Sequence, residues 1–329
     1  MPADDLARVA PELRAFVAGF QTLALTRAGL ADLRADLDEQ IRRGAPGCPD
    51  GVVREERRVP GPAGAPAVRL LVYRPKALGP NGAAYLHIHG GGYMLGLPEM
   101  NEARNAALAQ ALGVVVASVD YRRAPDHPHP APLEDCYAAL TWLAAGGEDL
   151  RLDPGRIAVG GESAGGGLAA NLALAARDRG DVRPVLQALI YPMLDDRTGS
   201  VRRAPPQTVE FVWPAASNRL GWASLLGREP RRVSAPRYAA AARAKTLAGL
   251  APTFIAVGGV DILRDEGLDY ALRLSRSGVA TELRLYPGAI HGFDLAAETR
   301  LARMLVADLH AALRTAFAVP ADPVVARPD

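Results

Sequence analysis

One serine, Ser163, stands among glycines in "GGESAGGGLA", between a short apolar run and a long Ala/Leu-rich run. Glycine in a strand or helix interior is destabilising by roughly 0.5–1 kcal/mol relative to alanine, so something local must need the backbone freedom. Gly161 to Gly165 fits G-x-S-x-G, placed after an expected strand and at the start of an expected helix. A turn of that kind is sharp and strains its serine. The flanking glycines keep side chains clear of the neighbouring strand and helix, and the hydroxyl projects from the end of the sheet. The helix amino terminus beneath it favours developing negative charge, which suits nucleophilic attack on a carbonyl. The alternative is an ordinary glycine-rich turn for phosphate, and "GGGLAA" even fits G-x-G-x-x-A. Those glycines, however, fall inside the expected helix rather than at the strand-to-helix turn of a dinucleotide fingerprint.

A second element points the same way. "HIHGGGYMLG" follows the apolar run "AYL", and Gly90 to Gly92 let the backbone turn its N–H groups toward one point. Acyl transfer needs such donors for the oxyanion of its tetrahedral intermediate. His87 and His89 lie two apart and could share one face of a strand as metal ligands. No acidic ligand follows at close spacing, so no metal is expected, and His89 is read as fixing the loop.

A serine hydroxyl needs a base. Of six histidines, His310 falls in a closing helix, and His127 and His129 fall in the proline-stiffened "PDHPHPAP". His291, in "YPGAIHGF", follows an expected strand, where a loop can bring an imidazole over the serine. The acid is sought between serine and histidine, the chain order in which such turns carry their triads. Asp261 ends "TFIAVGGV" at a strand's carboxyl end. Asp265 and Glu266 are rivals, but they sit at a helix start, where the dipole alone explains acidic residues.

These residues need a frame. The chain has 329 residues, half of them hydrophobic, with 38 Lys plus Arg against 36 Asp plus Glu. That balance gives no reason to expect nucleic acid or an acidic membrane as partner. The two cysteines, Cys48 and Cys136, match no metal spacing or disulfide framework. No basic-then-apolar leader and no apolar run long enough to span a bilayer are visible, so a cytoplasmic protein without stable membrane insertion is expected.

From residue 84, short apolar runs ("AYLHIH", "VVVASV", "RIAVG", "VLQALIY", "TFIAVG", "TELRLY") alternate with helical segments such as 133–145, 163–179 and 264–277. That rhythm predicts a mostly parallel sheet covered by helices on both faces. Before it, "VVREERRV" and "VRLLVYR" read as a hairpin-type pair of strands. Leu6, Val9, Leu13, Phe16 and Phe20 recur at helical spacing within a mostly helix-compatible segment, residues 4–41. "ETRLARMLVADLHAALRTAF" reads as a closing helix, and the tail "PADPVVARPD" as frayed. Residues 195–245 break the rhythm, and an insertion of that length in an α/β domain is usually functional. Residues 1–45 and 195–245 are expected to form a cap over a core of 46–194 and 246–329. Tyr93, Leu194, Phe211, Trp213 and Trp222 are candidates for an apolar acyl or alcohol pocket; simple packing of cap on core is the other reading.

Taken together, "HGGGY", "VDYRRAPDHPHPAPLEDC", "GGESAGGGLA", "YPMLDD", "VGGVDILRDEG" and "YPGAIHGF" carry a resemblance. From about residue 83 to 316 the chain resembles bacterial esterases of the hormone-sensitive lipase-like group, in the α/β-hydrolase superfamily, with the cap region weakest. The resemblance implies an α/β-hydrolase fold with a helical cap, a nucleophile at Ser163, acid at Asp261 and base at His291. It implies oxyanion donors from the N–H groups of Gly91, Gly92 and Ala164. It also implies hydrolysis of short- to medium-chain carboxylic esters without a cofactor. Three positions depart from the family pattern. Glu162 stands where Asp or Thr is commoner, and Arg123 and His129 replace the usual leucine and phenylalanine. Amide or formamide hydrolysis, or acyl transfer to an alcohol, uses the same triad. A non-catalytic binding protein on this fold would lose the histidine. A homodimer through an exposed edge strand stays open.

Overall fold

A computed structural model describes residues 3–20, 25–45, 47–79, 82–232 and 234–318. The amino-terminal segment forms α1 (Ala3–Arg8), a 3-10 turn at Pro11–Leu13, α2 (Arg14–Gly19) and α3 (Leu30–Gly44). The periodic apolar face is real, with Val9 and Leu13 buried, but the helix is broken. Pro11 removes an N–H and cannot continue a helix interior. At the break, Ala10 instead donates its N–H to the Gly288 carbonyl at 2.9 Å.

The expected hairpin is present. β1 (Val52–Val59) pairs antiparallel with β2 (Val68–Pro75), which pairs antiparallel with a later strand at Val115–Asp120. The chain then runs β3 (Gly82–Ile88), α4 (Glu102–Leu112), β4 (Val115–Asp120), α5 (Ala131–Ala144), β5 (Leu152–Glu162), α6 (Ala164–Arg179) and β6 (Leu186–Ile190). After α7 (Ala215–Leu226) come β7 (Thr253–Gly258), α8 (Arg264–Arg276), β8 (Thr281–Tyr286) and α9 (Arg300–Ala318). The eight strands lie in the order β1-β2-β4-β3-β5-β6-β7-β8, and β4 to β8 join in parallel through β3. The central strands are buried on both faces, which is why they read as continuous apolar runs.

Two apolar layers sandwich the sheet. On one face Ala84, Leu86 and Ile88 of β3 meet Leu133, Cys136 and Leu140 of α5, and Leu168 and Leu172 of α6. On the other, Ala83 and Tyr85 meet Ala106 and Ala109 of α4, and Leu305 and Leu313 of α9. The tail expected to fray lies outside the described residues. Among the described residues no helix is long and apolar enough to cross a membrane.

Residues 195–245 contain helix α7 and hold Trp222 fully buried. Their entry is fastened by Glu266, in the first turn of α8. Its Oε1 accepts the Leu194 N–H at 2.6 Å and the Asp195 N–H at 3.3 Å. Burial raises this carboxyl from 4.5 to about 8, against the lowering effect of those hydrogen bonds. A carboxyl raised in the fold is protonated where the unfolded chain is ionised. Its stabilising contribution is therefore whole below about 4.5 and lost as pH rises through about 8. Glu266→Gln keeps the acceptor and removes the ionisation. Between pH 5 and 9 the wild type is expected to lose roughly 3–5 kcal/mol relative to this variant, measured by urea denaturation across pH. Parallel pH curves for the two proteins would refute it.

Candidate active site

β5 ends at Glu162 and α6 begins at Ala164, so Ser163 alone makes the turn, with φ 56° and ψ −119°. A side chain in that region is strained by about 1–3 kcal/mol and persists only where its surroundings fix it. The surroundings are backbone. Ser163 N–H donates to Ile190 O at 2.9 Å, and its carbonyl accepts from Gly167 N at 3.0 Å and Met193 N at 2.9 Å. A Cβ on Gly161 would stand 2.0 Å from Ile88 O, and one on Gly165 1.9 Å from the same atom. The two glycines are thus what lets β5 and α6 close on β3.

Three side chains meet in a row at the carboxyl end of the sheet. Ser163 Oγ lies 2.9 Å from His291 Nε2, and His291 Nδ1 lies 2.8 Å from Asp261 Oδ2. The second oxygen of Asp261 accepts the Leu263 N–H at 2.9 Å, which fixes the carboxylate. All three residues are buried, Ser163 and His291 retaining a few percent of exposure. The arrangement holds an imidazole in the tautomer that can take a hydroxyl proton.

The rivals lie elsewhere. Asp265 pairs with Arg264 at 2.7 Å, and Glu266 holds the loop after β6. His127 is exposed, His129 is half-buried with its N–H on Leu225 O, and His310 is half-buried on α9. Neither His87 nor His89 joins a metal cluster: among the described residues no group of three His, Cys, Asp or Glu could hold an ion.

The glycine loop after β3 packs on the serine turn. A Cβ on Gly90 would stand 3.1 Å from Glu162 O and 3.4 Å from Ser163 Cβ. Gly91 (φ 113°) and Gly92 (φ 61°) take conformations that suit glycine. Among the described residues no hydrogen bond occupies the N–H of Gly91, Gly92 or Ala164. His89 anchors this loop. Its Nδ1 donates to Gly90 O at 2.8 Å, its ring stacks on Tyr121 at 4.3 Å, and Tyr121 OH donates to His89 O at 3.0 Å. Burial pushes the His89 imidazole down to about 3, so it stays neutral.

The five pocket candidates divide. Trp213 covers the loop: its ring atom Cη2 would sit 2.1 Å from a Cβ on Gly92, and its ring centre is 6.3 Å from that of His291. Phe211 is half-buried nearby in sequence. Tyr93, Leu194 and Trp222 are fully buried. Tyr93 packs on Trp222 at 5.1 Å and donates to Met193 O at 3.1 Å, so these belong to the packing beneath. An arginine-lined cavity of about 650 Å³ between α3 and the loop after β4 is lined by none of Ser163, His291 and Asp261. The same holds for a groove of about 1160 Å³ at the amino ends of β6 to β8.

Behind the row lies polar chemistry that sequence reading did not single out: Asn105 and Arg104 of α4, Tyr191, and Asp294, three residues after His291. Tyr191 sets its ring edge-on to His291 at 4.8 Å and donates its hydroxyl to Asp294 Oδ1 at 2.6 Å. Arg104 pairs with the other Asp294 oxygen. The sole sequence signal was a charged or amide residue at "EARNAALAQAL", a segment otherwise fit for burial.

Comparison with known proteins places this geometry in a family. The model of the α/β-hydrolase fold family matches residues 85–295. Esterase LipI of Mycobacterium tuberculosis is 36% identical over 267 residues, covering 78% of this chain and 81% of that protein. The ethyl acetate hydrolase of Pseudomonas putida is 36% identical over 229 residues, covering 68% and 70%. Among solved structures, a bacterial heroin esterase superposes with a TM-score of 0.87 at 37% identity, over 95% of this chain and 99% of that one. With its single serine turn, its eight-stranded sheet and these matches over most of its length, the chain belongs to the α/β-hydrolase fold family.

Proposed function

We propose that the protein is a serine carboxylesterase acting on short- to medium-chain acyl esters, with Ser163 as nucleophile, His291 as base and Asp261 as its carboxylate. The observation that carries this reading is the continuous row from Ser163 Oγ through both nitrogens of His291 to Asp261. His291 Nε2 takes the hydroxyl proton as Ser163 Oγ attacks the acyl carbon. The oxyanion accepts from the N–H groups of Gly91, Gly92 and Ala164. His291 returns the proton to the leaving alcohol, and water cleaves the acyl-enzyme by the same route. No cofactor enters these steps.

Relatives named as esterases and as an ethyl acetate hydrolase support small esters as substrates. Residues 1–45 and 195–245 act in this reading as a cap over the core of 46–194 and 246–329. In support, Ala10 bonds the loop after β8, Arg34 donates to Ala124 O at 2.7 Å beyond β4, and Trp213 lies on the glycine loop. The edge strand β8 exposes Leu283 and Leu285, which suits pairing of two copies.

Ser163→Ala is expected to lower kcat for p-nitrophenyl acetate by about 10⁵ or more and to abolish labelling by a fluorophosphonate probe. Wild-type turnover in that variant would overturn the assignment. Trp213→Ala removes the cover over Gly92. It is expected to raise kcat/KM for a p-nitrophenyl octanoate relative to the acetate by about tenfold, the scale on which apolar pockets discriminate chain length. An unchanged chain-length profile would remove Trp213 from the pocket wall.

A further inference from the structure

The direction of a backbone N–H is set by the carbonyl before it, because in a planar trans peptide the two point opposite ways. Gly91 N–H is therefore directed by Gly90 O, which accepts from His89 Nδ1 at 2.8 Å. Gly92 N–H is directed by Gly91 O, which accepts from Met94 N at 3.1 Å and Leu95 N at 2.8 Å. The turn so formed ends at Gly96, with φ 92°. A Cβ there would stand 2.8 Å from Gly90 O and 2.8 Å from His89 Nδ1. Gly96 thus closes the glycine loop against its own start, on the carbonyl that directs Gly91 N–H.

That closing end is held by the loop after β4. Ala124 N–H donates to Tyr93 O at 3.0 Å. Arg123 Nη1 donates both to Gly96 O at 3.0 Å and to Asp38 Oδ1 at 2.8 Å, while Nη2 donates to Asp38 Oδ2 at 2.7 Å. Asp38 lies on α3, and both side chains of the pair are mostly buried. Such a fork-to-fork pair fixes the plane of the guanidinium as well as its place. Arg34, one turn earlier on α3, donates to Ala124 O at 2.7 Å and pairs with Asp126. So α3 grips residues 123–126, and residues 123 and 124 grip the glycine loop at two carbonyls. Leucine, the usual residue of the family pattern at 123, offers Gly96 O no donor and Asp38 no partner.

We infer that Arg123 and Asp38 are a pair of positioning residues for the oxyanion: Asp38 orients the guanidinium that holds Gly96 O, and this keeps the Gly91 and Gly92 amides at the angle the tetrahedral intermediate needs. The inference rests on the reading of those amides as oxyanion donors to a Ser163 adduct. It gives a chemical consequence to the arginine at 123 and makes the seating of α3 part of the site. Neither side chain touches substrate. Their effect falls on the transition state rather than on ground-state binding, because the oxyanion forms only as the acyl carbon is attacked.

The test uses Arg123→Leu, Asp38→Asn and the double variant, with rates counted per site labelled by a fluorophosphonate so that misfolded protein drops out. Two quantities are read: kcat and KM for p-nitrophenyl acetate, and inhibition by an alkyl trifluoromethyl ketone, whose serine adduct places an oxyanion where the intermediate has one. In Arg123→Leu, kcat is expected to fall about tenfold with KM unchanged, less than the roughly hundredfold that follows loss of a whole oxyanion donor. Ketone affinity is expected to fall by the same factor. Asp38→Asn is expected to lose about threefold in both, and the double variant no more than Arg123→Leu alone, because Asp38 acts through Arg123. Should Arg123→Leu fail to fold, Arg123→Lys replaces it, since one ammonium cannot reproduce the fork. A per-site kcat and ketone affinity within twofold of wild type overturn the inference. So does a loss of kcat without a matching loss of ketone affinity, and so does a double variant whose loss is the product of the single losses. Labelling of the wild type, and its absence in Ser163→Ala, report the nucleophile independently, so failure here is separable from failure of that assignment.

Discussion

The site depends on one close approach of backbone to backbone. The carbonyl of Ile88, at the end of β3, presses into the space that side chains at 161 and 165 would occupy. That contact forces the β5–α6 connection into a single residue and sets Ser163 at positive φ. The same β3 end leads directly into the glycine loop whose Gly90 lies over the Ser163 side chain. The strained serine and the cradle of free amides are thus two consequences of one strand meeting one turn. The hydrogen bonds of Ser163 to Ile190, Gly167 and Met193 then hold the turn that this contact shapes.

Much of this was legible in the sequence because backbone demands leave residue signatures. Glycines at 161, 165, 91 and 92 mark positions where no side chain fits or where φ is positive. Continuous apolar runs mark strands buried on both faces. Asp261 and His291 stand out because each follows such a run at its carboxyl end, while Asp265 and Glu266 carry a competing helix-start explanation. The competing explanation was incomplete for Glu266: it is buried and fastens Leu194 and Asp195, which no helix dipole requires. Nothing in its spacing distinguished the two roles.

What stayed illegible was contact between elements. His87 and Glu162 are far apart in the chain, and only strand register brings them to one face. Asn105 and Arg104 look like a polar interruption of an alanine-rich helix until α4 is laid across that face. The amino-terminal segment misled in the other direction: its apolar spacing continues through Pro11, while the helix does not. Of the five apolar candidates, sequence could not separate Trp213, which touches the glycine loop, from Trp222, which lies beneath. Both are buried tryptophans in the same segment, and only their contacts distinguish them.

Buried hydrogen bonds also bear on how residues 195–245 are seated. An unsatisfied polar group in the interior is costly, whereas a fully bonded network is rigid. The route from α8 to the site is a chain of hydrogen bonds that starts at one oxygen of Glu266, whose other oxygen is buried without a partner among the described residues. Glu266 holds Leu194 and Asp195. Asp195 O accepts the Thr198 N–H at 3.2 Å, and Thr198 O accepts from Asn218 Nδ2 at 2.7 Å. Asn218 Oδ1 then accepts Trp213 Nε1 at 3.0 Å, and Trp213 rests on Gly92 beside His291. Each step is a directional bond between groups with little exposure, so Trp213 cannot shift without breaking one. The 195–245 segment is consequently held by more than apolar packing. It is pinned from the sheet side by a carboxyl that prefers to be neutral, and the tryptophan over the glycine loop inherits that position.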